Sequence, residues 1–427
     1  MKAEKHDYCG IYVFTQPCYM PLNPEQIKNI MLKDFTHFVD RGMYFNERDD
    51  PLSAHLLSLE GQTWRNLRAK LTPTFSTSKM KMMFSTLFDC GNQMLNSMEK
   101  LSEKPLDIKE ICACYTTDVI GSCAFGLDCN SFAETESDFR KYGKKAFEVS
   151  VMSLLRISFC MITGNTAKKL GVKIIDPQVS EFFMNVIKTT LKHRKENKIE
   201  RNDFLQLLIE LMENDQLKIE EVAAQAFLFF LAGFETSSTT MASCIFELAK
   251  NNDIQDKIRE EISQVFDRNE GKLTYESLIE MKYMGQVIDE TLRLYPSVPL
   301  VQRVCTKDYK IHNSNGVIEK GTRIFLPVYA LHRDPEYYPD PEKFDPNRFN
   351  DTNKSKRHPF VYLPFGEGPR VCIGQRFGLM QVKIGMAILL KNYKFTINTK
   401  TKLPIEFERN SFLLKVKGDI WLDATKI

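Results

Sequence analysis

Three observations predict a mainly α chain with a small β region. Residues 219–250 run without proline through mostly apolar side chains, about 30 residues and hence a helix roughly 45 Å long. Residues 80–210 carry helical spacing broken near Lys104-Pro105, Gly126, Gly164 and Pro177. Strand-like stretches are confined to the start of the chain, a segment after residue 298 and the last ~30 residues. With 43% apolar and 26% charged residues the composition is that of a globular protein, which excludes disordered and collagen-like classes. A net charge of +3 is too mild to argue for a nucleic-acid partner. Eleven cysteines, an odd number without C-x-x-C spacing, point to a reducing compartment rather than a disulfide framework or zinc site. No uninterrupted apolar run approaches the ~18 residues of a membrane span.

In chain order, residues 8–14 (Tyr-Cys-Gly-Ile-Tyr-Val-Phe) read as a buried strand, and residues 21–35 as a helix with Ile27, Ile30, Met31 and Phe35 on one face. Residues 41–58 form a polar loop that includes His55. Trp64 and Arg68 lie four apart on one helical face, an indole donor and a guanidinium fork suited to one carboxylate. Residues 147–162 are apolar and aromatic, either buried or facing a membrane beside an access channel. No repeat or low-complexity linker marks a domain boundary.

At the centre of the long helix stand Ala232, Gly233, Phe234, Glu235 and Thr236, where glycine and two polar residues cost helix propensity and desolvation. Glu290 and Arg293 sit at i and i+3 and face each other, ahead of a helix end at Leu294-Tyr295-Pro296. Residues 298–301 read as an apolar strand, and residues 309–325 as a hairpin with a turn signal at Asn313-Ser314-Asn315-Gly316. Pro335, Pro339, Pro341 and Pro346 forbid a helix in the stretch after His332. The C-terminal strands place Ser411, Phe412 and Leu413 at a tip.

The stretch from Phe365 to Gly374 joins Cys372 to glycines at 366, 368 and 374 and to Arg370, ahead of an apolar segment over 377–390 that reads as a helix. A thiolate ligand needs backbone N–H groups aimed at its sulfur and a helix N-terminus behind it, both of which lower the thiol pKa. Arg370 is placed to pair with an anionic group on the same cofactor.

Phe365, Gly368, Arg370, Cys372 and Gly374 fill every fixed position of a pattern that resembles the haem-binding loop of the cytochrome P-450 superfamily. The resemblance covers the chain from Tyr8 almost to its end and implies a single haem domain over residues 1–427. Microsomal members carry an apolar anchor helix before the first strand, so this domain is expected to be N-terminally incomplete. Cys372 becomes the axial iron ligand of haem b, with Phe365, Gly366, Arg370 and Gly374 in its loop. Trp64, Arg68 and, by position, Arg303 are expected to hold haem propionates. Ala232 and Gly233 resemble the small pair that opens a groove over the iron, and Glu235 and Thr236 the acid–alcohol pair that relays protons. Glu290, Arg293 and Arg348 resemble the family's structural triad, although Asn347 stands where the family commonly has glutamate. The expected pocket wall comprises His55, Phe227, Phe230, Val298, Val301 and Phe412.

The resemblance implies monooxygenation: one atom of dioxygen enters a lipophilic small molecule, such as a xenobiotic, plant toxin, insecticide or endogenous lipid. Electrons come from NADPH through a flavin reductase, since the chain has no flavin or nicotinamide fingerprint. Lys79, Lys81, Lys354, Lys356 and Arg357 are the expected docking face. A monomer on the cytosolic face of the endoplasmic reticulum membrane is implied. Residues 232–238 and 330–335 look most like the insect microsomal branch related to vertebrate family three. A haem-thiolate isomerase or dehydratase is the rival enzyme, opposed by the intact Glu235-Thr236 pair, and a truncated non-catalytic haem-binding fragment is the rival of another class.

Overall fold

A computed structural model describes residues 6–133, 138–148, 150–201, 203–312 and 314–427. Helices hold 58% of the residues and strands 10%. The helix Ile219–Lys250 is the axis of the packing, with Glu220 and Glu221 in its first turn and Lys250 in its last, complementing the helix dipole. The Glu221 carboxylate accepts the Lys218 N–H at 2.7 Å, which satisfies one donor at the helix start. Helices Ile108–Ile120, Lys282–Leu294 and Gln375–Asn392 pack around it and bury nearly all of its C-terminal half.

Helix ends fall where backbone chemistry requires them. Gly126 and Gly164 take positive φ values of 68° and 37°, and Pro177 opens the helix Pro177–Asn197. Gly126 also leaves room for the buried Arg194–Asp203 pair, against which a Cβ would collide.

One sheet takes the strand order Tyr8–Val13, Gln16–Pro21, Arg323–Leu326, Val301–Val304. Tyr8–Val13 is its edge strand and alternates exposed with half-buried residues, which corrects the expected buried strand. The region expected as one helix over 21–35 divides into Pro24–Lys28, a wider turn Asn29–Lys33 and a 3₁₀ turn Phe35–His37. The strand expected at 298–301 lies at Val301–Val304, where Arg303 pairs with Ile324, and 298–300 is irregular. Strand Tyr393–Ile397 pairs antiparallel with Trp421–Lys426, while 411–413 forms no strand. Asn313 of the expected turn lies outside the described residues. Among the described residues no single helix is long and apolar enough to cross a membrane.

Candidate functional site

The cysteine loop closes on itself. Gly366 N–H donates to Leu363 O at 3.1 Å, Val371 N–H to Gly368 O at 3.0 Å, and Cys372 N–H to Phe365 O at 3.0 Å. Gly366 and Gly368 sit at φ 70° and 71°, and a Cβ on Gly368 would also run into the Met31 carbonyl. Gly374 caps the helix Gln375–Asn392, and its N–H points to the Cys372 sulfur. The Cys372 side chain is exposed, yet burial dominates its acidity. Both hold because the side chain can be reached by solvent while the surrounding protein desolvates its sulfur. The expected lowering of the thiol pKa is overturned: burial pushes it up, and the Gly374 N–H, Arg41 and Arg68 only oppose that rise.

Four guanidinium groups gather on this side. Arg370 does not offer its fork to an anion as expected. Its Nε donates to Val39 O at 2.9 Å and its Nη atoms to Leu56 O at 3.3 Å and Leu59 O at 2.8 Å, while the group stacks on the buried Trp64 ring at 3.8 Å. Arg370 therefore ties the loop before helix Gly61–Leu71 to the cysteine loop. Its nearest carboxylate, Asp40, is 3.7 Å away. Arg41 donates to Arg370 O at 3.2 Å, and Arg68 is half-buried on the same helix as Trp64.

Arg303 is buried, donates to the Gln302 carbonyl at 2.8 Å and leaves its Nε without a partner. Burial pushes Arg303 well below its ordinary value, with the Arg41 and Arg370 charges adding to the shift. Burial likewise lowers Arg41 to about 10 and Arg370 to about 9. A guanidinium keeps its proton in a protein, so these shifts express first the cost of burying charge and second the neighbouring arginines, and a bound anion relieves both. The orphan Nε of Arg303 and the Arg41 and Arg68 groups beside Cys372 fit a cofactor with two carboxylates and a metal bound to sulfur. Haem b has that chemistry.

Arg41 was missed by sequence reasoning. Asp40-Arg41-Gly42 lies in an aperiodic loop with no spacing signal, and only folding brings it to Cys372.

The central helix carries the other expected site residues. Ala232 is exposed midway along it, although Phe229, Phe230 and Phe234 nearby are buried. Gly233 does not widen the expected groove: a Cβ there would strike Ile120 Cδ1, so the glycine serves the crossing with helix Ile108–Ile120. The Thr236 hydroxyl donates to Ala232 O at 2.5 Å. Glu235 points elsewhere, to Lys415 Nζ at 2.7 Å. Adjacent residues on a helix do not face each other, and the expected acid–alcohol pair diverges accordingly.

Phe227 and Phe230 are buried against Phe183, with ring centroids 5.0 Å away in both cases, and so belong to the core instead of the pocket wall. His55 is buried with its Nδ1 3.1 Å from Ser58 Oγ, and burial lowers it to about 4. Val298 and Phe412 are exposed, Phe412 at 69%, and Val301 is half-buried.

Glu290 and Arg293 meet in a two-pronged pair, Nε–Oε2 2.7 Å and Nη2–Oε1 2.9 Å. Arg348 Nε lies 3.5 Å from Glu290 Oε1, which also accepts the Asp345 N–H at 2.8 Å. Arg293 extends to the carbonyls of His332 and Lys343, joining helix Lys282–Leu294 to the meander before the cysteine loop. Among the expected docking cations, Lys81 is paired with Glu276 and Arg357 stacks on Tyr338 and Phe349. Lys354 and Lys356 are exposed and Lys79 is half-buried.

The profile of the family described as Cytochrome P450 matches residues 2–422. The chain is 47% identical to "Probable cytochrome P450 6a13" of Drosophila melanogaster over 97% of its own length and 85% of that relative. It is 44% identical to "Probable cytochrome P450 6a14" of the same fly, covering 98% of the chain and 86% of the relative. Against "Cytochrome P450 6A1" of Musca domestica the identity is 41%, covering 98% of the chain and 85% of the relative.

Proposed function

The chain belongs to the cytochrome P450 family, and we propose that this monooxygenase oxidises lipophilic small molecules as a monomer in which residues 1–427 act as one unit. Haem b supplies the iron at which dioxygen is activated, with electrons drawn from NADPH through a partner. The observation that carries the site assignment is the Cys372 sulfur facing the Gly374 N–H with Arg41 and Arg68 close by, and Arg303 with its orphan Nε next to Arg41. Cys372 is the metal ligand in this reading. Burial favours the thiol, and the Gly374 N–H with the Arg41 and Arg68 charges is what would hold Cys372 as a thiolate ligand when the metal is bound.

Arg303, with a free Nε, would bind a carboxylate of the cofactor, and Arg41 and Arg68 would balance its remaining charge. Trp64 acts through Arg370, whose cation it covers. Thr236 carries the hydroxyl that hands protons across the pocket, and Glu235 replenishes it through water, since no direct bond joins them. Val298, Val301 and Phe412 line the substrate side. The triad Glu290, Arg293 and Arg348 supports the cysteine loop without touching substrate.

We further propose that the partner is a flavin reductase docking on Lys79, Lys354 and Lys356, and that the enzyme works on the cytosolic face of the endoplasmic reticulum membrane. Support for membrane contact comes from helix Val151–Thr163, which exposes Val151 at 75%, Met152 at 64% and Leu155 at 61%.

The test is the absorption spectrum of the reduced protein under carbon monoxide, beside Cys372→Ala. A thiolate-ligated ferrous haem gives a strongly red-shifted Soret band, which the variant is expected to lose. A band at the position of histidine-ligated haem in the unaltered protein rules out the assigned ligand.

A further inference from the structure

Near the C-terminus Lys415 reaches the central helix directly, and its neighbour Leu414 reaches it only by way of Ser297. Lys415 Nζ sits 2.7 Å from Glu235 Oε1, with both side chains less than a fifth exposed, and over the Phe147 ring at 4.8 Å. Leu414 N–H donates to Ser297 O at 3.0 Å, and the Ser297 hydroxyl lies 3.5 Å from Thr236 O. The segment turns back on itself through Glu408 N–H to Lys415 O at 2.9 Å, Lys417 N–H to Glu406 O at 2.8 Å and the Phe407–Val416 bridge. Its tip, three residues before Lys415, is Phe412. In the sequence Leu414-Lys415-Val416-Lys417, lysines alternate with apolar residues and read as one solvent face. The fold separates them: Lys417 is exposed with Glu406, whereas Lys415 turns inward.

We propose that the Lys415–Glu235 pair is a latch that fixes the C-terminal segment on the central helix, making Lys415 a positioning residue that sets how large a ligand passes Phe412. Lys109 Nζ donates to Val416 O at 2.8 Å and Gly418 O at 2.5 Å and anchors the base of the segment, so the Lys415 pair acts on the part nearer the tip. The Leu414 N–H bond holds the backbone locally, and the neighbouring Ser297 contact is at the limit of a hydrogen bond. A charge-assisted bond between two mostly buried groups is stronger than either, and losing one partner leaves the other charge poorly solvated. The latch also ties pocket shape to the acid assigned to proton supply, because a ligand that lifts Phe412 pulls on Lys415 and through it on Glu235.

The inference rests on the proposed pocket, and the test keeps the two apart. Ferric wild-type protein, Lys415→Ala, Lys415→Arg, Glu235→Gln and the Lys415→Ala/Glu235→Gln double variant are titrated with imidazole and with bulky N-benzhydrylimidazole. The Soret shift caused by a nitrogen ligand gives both dissociation constants, and the carbon monoxide band checks that each variant is folded. Lys415→Ala and Glu235→Gln are each expected to shift the ratio of the two constants about tenfold in favour of the bulky ligand. The double variant is expected to shift it no further, and Lys415→Arg to restore it. An unchanged ratio, or single effects that add, overturns the latch and leaves the pocket standing. If neither ligand shifts the wild-type spectrum, the pocket reading fails and the latch with it.

Discussion

Gly366 and Gly368 share a left-handed backbone but differ in what stands beyond the missing side chain. At Gly366 a Cβ would meet Met31 Cε at 3.7 Å, an ordinary contact, so Gly366→Ala adds only the backbone strain of about 1–3 kcal/mol. At Gly368 the same strain is joined by a collision with the Met31 carbonyl, a backbone atom that cannot rotate away. Gly368→Ala is therefore expected to lose most of its bound haem while Gly366→Ala retains it, read as the Soret-to-280 nm ratio after gel filtration. Equal retention would show that the loop shifts as a body away from Met31. The spacing of Cys372, Arg370 and the glycines exposed this loop in the sequence, because short-range geometry is written in consecutive residues. The roles of single side chains were less legible. Arg370 looked like an anion binder and instead spends its donors on the carbonyls of Val39, Leu56 and Leu59, partners more than 300 positions away. Arg41 carried no local signal, and the alternation around Lys415 pointed it to solvent.

Helices are legible when periodicity is long and uninterrupted. The central helix was read at its observed bounds, and Gly126, Gly164 and Pro177 marked real breaks. Strands fared worse: Gln16–Pro21, with Pro17 and Pro21, was not read as a strand, and its pairing with Arg323–Leu326 is set by residues far along the chain. Helix crossings depend on glycines whose purpose only packing reveals. Gly385, in helix Gln375–Asn392, would bring a Cβ to 2.6 Å from Met241 Sδ and 2.9 Å from Tyr115 Cε1, so three helices meet there. Alanine adds about 1 kcal/mol of helix propensity, but overpacking costs about 1–3 kcal/mol, so Gly385→Ala is expected to lower the thermal midpoint. A raised midpoint would mean that Met241 yields freely. The helix Val151–Thr163 is the opposite case, an apolar run whose surface is not covered. Replacing Val151, Met152 and Leu155 together by glutamate is expected to reduce co-sedimentation with phosphatidylcholine–phosphatidylserine vesicles several-fold. The carbon monoxide spectrum should stay unchanged, and undiminished sedimentation would remove this helix as the membrane contact.

The meander before the cysteine loop makes the whole molecule sensitive to acid. His332 is buried, its Nδ1 is 3.2 Å from the Arg293 carbonyl, and its Nε2 accepts the Leu363 N–H at 2.8 Å. The ring is thus neutral with the proton on Nδ1, and it links the Glu290–Arg293 helix to the segment that leads into Cys372. Protonating Nε2 would set two N–H groups against each other. Burial lowers His332 to about 3 and His55 to about 4, against an unfolded value of about 6.5. Because both folded values are depressed, the unfolded chain takes up protons first. Stability is full above pH 6.5 and falls as the pH drops toward 4, by up to about 1.4 kcal/mol per pH unit for each ring. Carboxyls pushed upward by burial, Glu290 and Asp289, act in the opposite sense, so the informative quantity is a difference in slope. Urea unfolding of wild type and His332→Gln followed from pH 7 to pH 5 is expected to show the variant less stable at pH 7 but shallower in its decline. The slopes should differ by nearly 1.4 kcal/mol per pH unit at the acid end. Parallel slopes would mean that His332 is already charged in the folded protein, and its place between the Arg293 carbonyl and the Leu363 amide would have to be abandoned.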